Sequence, residues 1–429
     1  MSGPTDLLGL LCAITVGWGI WRWHRRFLER SNPMVVIALW SVVGSALWML
    51  LLALVGVGWP TWLIVLPSLV ALPFGLAVRR AEVSPDCRPL VWALGAAILA
   101  GAHAALLALQ PASGWDFRYL WGLKAKVFAL AATHDTSWLS WPPNGWLHPE
   151  YPPLWPDLIA MGVRLGGSAE GVAALWQAFL VLALAAACWD NLRQAPNWVR
   201  FTGAAVGALA PAVFSPGFSG YADPVVAFLA AVALGSLVRL RRGGCTPVRP
   251  TLAAAIAGLC LSKNEGMVLA FGVTLAVVWV GDRRDRILAA IAFAAPVGSW
   301  QLFVVLNSIR REPRSLDPHA WLVAAHETLF WLWVHLPSSV GLLLLAWLLA
   351  GVALARRMTL PVVVALGVWW CGLVAAYLTS LQGTEWHLPA SFARVIATPL
   401  PAVLSVALAA STGAPGERPP SRDPEEAGP

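Results

Sequence analysis

Apolar runs of bilayer-spanning length recur from one end of this chain to the other, and that repetition leaves few folds open. They lie near 5–21, 34–57, 61–78, 90–110, 170–188, 201–214, 224–238, 248–262, 266–281, 287–306, 329–354, 359–380 and 395–411. Lipid offers no hydrogen-bond partner to the backbone, so a crossing segment must satisfy its own amides. A helix does so over roughly 30 Å with about 20 residues. The expected fold is therefore all-α, a polytopic transmembrane helical bundle of about thirteen spans. Composition agrees, with 58% hydrophobic and only 12% charged residues among 429, where a soluble domain carries about 25% charged. Three N-terminal spans (1–88) precede a core over 89–411 that holds one large polar loop at 111–169. Residues 412–429, rich in Pro, Gly and Glu, read as a disordered cytoplasmic tail.

Basic residues at span ends stay on the cytoplasmic side and so give an orientation. Arg22, Arg25, Arg26 and Arg30 follow the first run, Arg79, Arg80 and Arg88 the third, and Arg239, Arg241, Arg242 and Arg249 the seventh. Arg283, Arg284 and Arg286, then Arg356 and Arg357, continue the alternation. An odd number of spans puts the N-terminus outside and the C-terminus in the cytoplasm. Asp6, not a basic segment, precedes the first run, which reads as a retained span and not a cleaved signal. The net charge of +7 is accounted for by these loops and calls for no nucleic-acid partner. Cys12, Cys87, Cys188, Cys245, Cys260 and Cys371 fall in spans or on the cytoplasmic side, with no disulfide framework or metal motif among them.

Under this topology the segments of unusual chemistry share the outer side: 111–169, 219–223, 262–266, 307–328 and 381–394. Lys124, Lys126, Lys263, Arg310, Arg311, Arg314 and Arg394 there run against the charge rule. Cations placed against that bias suit an anionic partner such as a lipid phosphate. In the large loop Phe117, Trp121, Lys124 and Phe128 are spaced by four, three and four residues. That spacing predicts one face of an amphipathic surface helix, with Asp116 at its start. Asp116 is either a helix N-cap beside a snorkelling lysine or a general base at the lipid–water boundary with Trp rings nearby to stack on a sugar.

His148-Pro149-Glu150-Tyr151-Pro152-Pro153 is too rich in proline for regular helix. It is a stiff connector or a loop that holds His148 and Tyr151 in place. No second ligand at metal spacing accompanies His148. Asp223-Pro224 has the form of an ordinary helix start. Lys263-Asn264-Glu265-Gly266 joins two apolar runs through a very short turn, where a Lys and a Glu are costly unless paired or bound to a ligand. Ser391 and Arg394, after Trp386-His387, form either a phosphate grip or an interfacial anchor.

With these residues the chain resembles the GT-C superfamily of integral membrane glycosyltransferases, in particular a bacterial branch related to the protein mannosyltransferase and lipid A aminoarabinose transferase type. The likeness runs over about residues 89–400 and rests on four features. They are Asp116 shortly after a span, a long outer loop with a Tyr-Pro-Pro element (151–153), the Gly-Tyr-Ala-Asp-Pro (220–224) and Lys-Asn-Glu-Gly (263–266) segments, and the Ser391/Arg394 pair. Three spans precede the loop where many members have one, and no Asp-x-Asp or Asp-x-Glu occurs within it. The resemblance implies sugar transfer from a polyprenyl-phosphate donor to a glycan, glycolipid or protein acceptor at the outer face of the bilayer, with inversion. Asp116 is then the base, and Lys124, Lys263 and Arg394 hold the donor phosphate. His148, Glu150, Tyr151, Asp223, Glu265 and Trp121 shape the site, and neither cofactor nor metal is expected. A lipid or glycolipid transporter or flippase is the other class of polytopic protein with intramembrane charge. It favours repeated halves and broken helices, and no internal repeat is visible here. A non-catalytic scaffold needs neither outward cations nor a long Trp-rich loop.

Overall fold

The computed structural model describes residues 4–28, 32–77, 90–214, 220–242, 248–311, 316–335, 339–356, 360–380 and 388–412. Arg30, Arg79, Arg80, Cys87, Arg88, Ser219, Cys245, Arg314, Arg357, Trp386, His387 and nearly all of the tail lie outside them. Every regular element among the described residues is helical: α1 (Asp6–Leu28), α2 (Pro33–Leu54), α3 (Thr61–Ala77), α4 (Leu90–Leu109), α5 (Gly122–Ala131), α6 (Thr136–Ser140), α7 (Leu154–Arg164), α8 (Ala169–Asn191) and α9 (Asn197–Phe214). There follow α10 (Asp223–Arg241), α11 (Val248–Ser262), α12 (Asn264–Val280), α13 (Arg283–Leu306), α14 (Pro318–His335), α15 (Ser339–Arg356), α16 (Leu360–Thr379), α17 (Ala393–Ala397) and α18 (Leu400–Thr412).

Among the described residues, seven segments are long and apolar enough to cross a membrane: α2, α4, α8, α10, α13, α16 and the stretch Ala393–Thr412. Four further apolar helices are shorter, within 61–73, 248–262, 264–280 and 343–354. Within the run read as one span at 329–354, α14 is described to His335 and α15 from Ser339.

Local chemistry accounts for several helix starts. Asn32 accepts from the Met34 amide at 3.0 Å ahead of Pro33. Ser168 accepts from Gly171 N at 3.1 Å at the start of α8. Asp282 and Asp285 form a reciprocal capping box on α13. Helix α10 is apolar all round and accordingly central, buried from Asp223 to Leu237 against α8, α11, α12 and α18. Small residues bring other helices close. A Cβ on Gly272 of α12 would strike the backbone of Ala365 on α16, the kind of near approach on which packing in lipid depends.

The three N-terminal helices share one hydrophobic core with the rest. The carboxylate of Asp6 accepts from both the amide and the hydroxyl of Ser168, at 2.5 and 3.1 Å, which ties the start of α1 to the start of α8. The 111–169 loop departs from the amphipathic surface helices expected of it. Phe117, Trp121, Lys124 and Phe128 do share a face, but all four are buried, as are Leu154, Trp155, Leu158 and Ile159 of α7. The periodicity correctly marks an inward face, and what covers that face is the chain's own core.

Candidate functional site

Four segments far apart in sequence meet around a cavity of about 770 Å³, within the range of about 300–1,000 Å³ usual for ligand pockets. The loop supplies Trp115, Asp116, Trp121, His148 and Tyr151; the turn before α10 supplies Tyr221; the α11–α12 junction supplies Lys263, Asn264 and Glu265. From the far end of the chain come Tyr377, Ser391 and Arg394. The apolar part of the lining comes from Val268 of α12 and from Trp369, Gly372, Leu373 and Ala376 of α16.

The polar residues form an alternating chain of charges. Asp116 Oδ2 lies 2.8 Å from Arg394 Nη1, and the same nitrogen donates to Asp223 Oδ2 at 2.9 Å. Asp223 Oδ1 accepts from Lys263 Nζ at 3.0 Å and from the Thr398 hydroxyl at 3.1 Å. Lys263 Nζ in turn lies 3.4 Å from Glu265 Oε1. The central carboxylate is 1% exposed, whereas the two at the ends, Asp116 and Glu265, are 21% and 23% exposed. Charges this deep persist only when paired and hydrogen-bonded, and Asp223 serves both cations.

Arg394 makes both of these contacts through Nη1, and its Nη2 and Nε have no hydrogen bond to another described residue. Its guanidinium also lies over the Tyr221 ring, 4.5 Å from the centroid, a favourable placement for a cation. A planar cation clamped on one nitrogen, with the rest of its fork not engaged by the described residues, is suited to binding an oxyanion. The Tyr221 hydroxyl is raised above its ordinary pKa, chiefly by burial and then by the nearby Asp116 charge.

The turn that places Tyr221 depends on Gly220. Its φ of 91° is a left-handed conformation, a Cβ there would run into the Phe117 ring, and its carbonyl accepts from Trp155 Nε1 at 2.8 Å. Because Phe117 follows Asp116, this one glycine fixes the spacing of the loop and the α10 turn. Asp116 itself lies in right-handed backbone and makes no capping bond, so the N-cap alternative is set aside.

Of the ten sequence-derived site residues, Asp116, Trp121, His148, Tyr151, Lys263, Glu265 and Arg394 line the cavity. Asp223 lies just behind it. Lys124, expected at the donor phosphate, is instead fully buried and donates to the His148 carbonyl at 3.0 Å. The helical face that carries it turns into the core. Glu150 lies beside it and 3.8 Å from His148, outside the cavity lining.

Sequence reasoning missed Trp369 and Tyr377. The clue to Tyr377 was a lone hydroxyl-bearing ring at the end of an apolar run, and it hydrogen-bonds Ser391 at 2.9 Å. It also missed a fully buried pair, His134 Nε2 to Asp157 Oδ1 at 2.8 Å, ringed by Trp59, Phe128, Trp300 and Phe303. Burial raises the Asp157 carboxyl while His134 and Lys124 oppose the shift. Compared with protein-family models, with curated proteins and with solved structures, the chain matches none.

Proposed function

We propose that this protein is a membrane glycosyltransferase of GT-C type that moves a sugar from a polyprenyl phosphate to an acceptor at the outer face of the cytoplasmic membrane. The observation that carries the reading is the mixed lining of the cavity. It holds a clamped guanidinium, an ammonium and two partly exposed carboxylates. It also holds Trp369, Gly372, Leu373 and Ala376 on α16, a helix able to cross the bilayer. A ligand that satisfies both kinds of lining has an anionic head and an apolar chain, as a polyprenyl-phosphate sugar does. The aromatic groups Trp121, Tyr151 and Tyr221 in the same lining are surfaces on which a sugar ring can lie.

In this mechanism Arg394 and Lys263 receive the donor phosphate. The acceptor hydroxyl attacks the anomeric carbon, the bond from that carbon to the phosphate oxygen breaks with its electron pair staying on the phosphate, and the hydroxyl proton passes to Asp116. Attack opposite the leaving group inverts the centre. Phosphate leaves without a strong acid because fixed cations stabilise its charge, and holding donor and acceptor together supplies much of the acceleration. Asp223 and Glu265 keep Arg394 and Lys263 in place. In this scheme the charge on the leaving phosphate is balanced by Arg394 and Lys263.

The test is transfer of labelled sugar from a panel of synthetic polyprenyl-phosphate monosaccharides by purified protein, for wild type and Asp116→Asn, with thermal melting as a folding control. Turnover of one donor, lost in a folded Asp116→Asn, supports the assignment. No donor consumed by wild type would overturn the enzymatic reading, and lipid transport would be tested next.

A further inference from the structure

The His148–Tyr151 wall of the cavity is held from behind in an unusual way. His148 adopts φ 48° and ψ 59°, a left-handed conformation that a residue with a Cβ enters only when its surroundings impose it. Its ring stacks on Tyr151 with centroids 4.5 Å apart and planes 27° from parallel. Trp121 lies 5.9 Å from Tyr151, centroid to centroid, and all three rings line the cavity. The backbone of this segment is tethered at two carbonyls. Lys124 Nζ donates to His148 O at 3.0 Å, and Trp300 Nε1 donates to Glu150 O at 2.7 Å.

A fully buried ammonium is a costly way to hold a loop, and a structural tether alone could be made by any neutral donor. Lys124 is surrounded by opposite charge: Glu150 on the tethered segment and Asp157 on α7, itself bonded to His134. The lysine therefore stands between a buried acidic cluster and the one strained residue of the cavity wall.

We propose that Lys124 is a positioning residue for donor recognition: by gripping the carbonyl of the strained His148 it sets the stacked His148–Tyr151 pair as the platform on which the donor's sugar ring lies. This rests on the glycosyltransferase reading above. Lys124 then acts on ligand affinity through Tyr151, without touching the phosphate.

The experiment is a double-mutant cycle on the purified enzyme with Lys124→Met and Tyr151→Ala, measuring donor KM, kcat and melting temperature for all four proteins. Each single variant is expected to raise donor KM about tenfold with kcat within about threefold. The double variant should stay near tenfold instead of reaching about a hundredfold, because both changes remove the same platform. Multiplicative effects on KM would overturn the inference, as would a Lys124→Met variant with a lower melting temperature and an unchanged KM. If Lys124→Met does not accumulate folded, the cycle is run with Lys124→Gln, which removes the ammonium at the same position. Turnover with multiplicative effects sinks this inference alone. No turnover of any donor by wild type sinks it together with the glycosyltransferase reading.

Discussion

Replacing Asp223 by asparagine removes one charge from the middle of the ion chain and leaves its shape nearly unchanged. The carboxylate is 1% exposed and accepts from Lys263, Arg394 and Thr398. Removing one partner of a buried ion pair costs about 3–5 kcal/mol. The lower end applies, because the cations retain Asp116 and Glu265 and the asparagine oxygen still accepts one bond. With an unfolding entropy of roughly 2 cal/mol/K per residue over 429 residues, about 3 kcal/mol lowers the melting temperature by about 3 °C. Asp116→Asn makes the same change of charge at the rim of the cavity, where the carboxylate is 21% exposed and holds one ion-pair partner. Its stability cost should be about 1 kcal/mol or less, with turnover abolished. The assay is thermal unfolding followed by tryptophan fluorescence beside donor turnover, for both variants. Asp116→Asn losing more stability than Asp223→Asn would refute the reading of Asp223 as the anchor of the chain and Asp116 as the reacting end.

Arg394→Lys keeps the charge but loses the unused part of the fork, so donor KM should rise about tenfold or more, while salt-dependent inhibition by inorganic phosphate weakens in parallel. Burial lowers the Lys124 pKa from 10.5 to about 8, with Glu150 and Asp157 opposing, so the folded protein releases this proton before the unfolded chain does. The cost of burying the charge is present in full below pH about 8 and is relieved between there and 10.5. Stability of wild type relative to Lys124→Met should therefore rise by roughly 3 kcal/mol across that window, and a flat difference in denaturant midpoints would contradict it. Gly220→Ala strains a φ of 91° and drives a methyl into Phe117. A loss of about 1–3 kcal/mol should come with reduced turnover, read by melting and transfer assays on one preparation.

Most helices are legible in the amino-acid pattern because a membrane helix needs little beyond apolar length. Runs near 34–57, 170–188 and 359–380 correspond to α2, α8 and α16. What periodicity leaves open is the identity of the covering medium. The Phe117–Phe128 face looks the same whether it rests on lipid or on protein, and here it rests on protein. That is why Lys124 reads as a snorkelling or phosphate-binding cation when it is an internal one. Asp223-Pro224 does open α10, yet its carboxylate is engaged by residues 40 and 171 positions later, and no local pattern encodes such distances. The His134–Asp157 pair was invisible for the same reason. Lys263 and Arg394 of the cavity stood out in the sequence because an ion beside an apolar run has to be matched by something.

The ion chain also has an order in time. Asp116, Asp223, Lys263 and Glu265 leave the ribosome well before Arg394, and α10 and α12 are complete while the guanidinium that joins them to the loop is still unsynthesised. Until α17 arrives, Asp223 can pair with Lys263 alone and Asp116 lacks its clamp. The charge network of the cavity is thus closed only after α17 has been made. Nascent chains halted after α16 would carry nearly every residue of the site and still have no closed charge network.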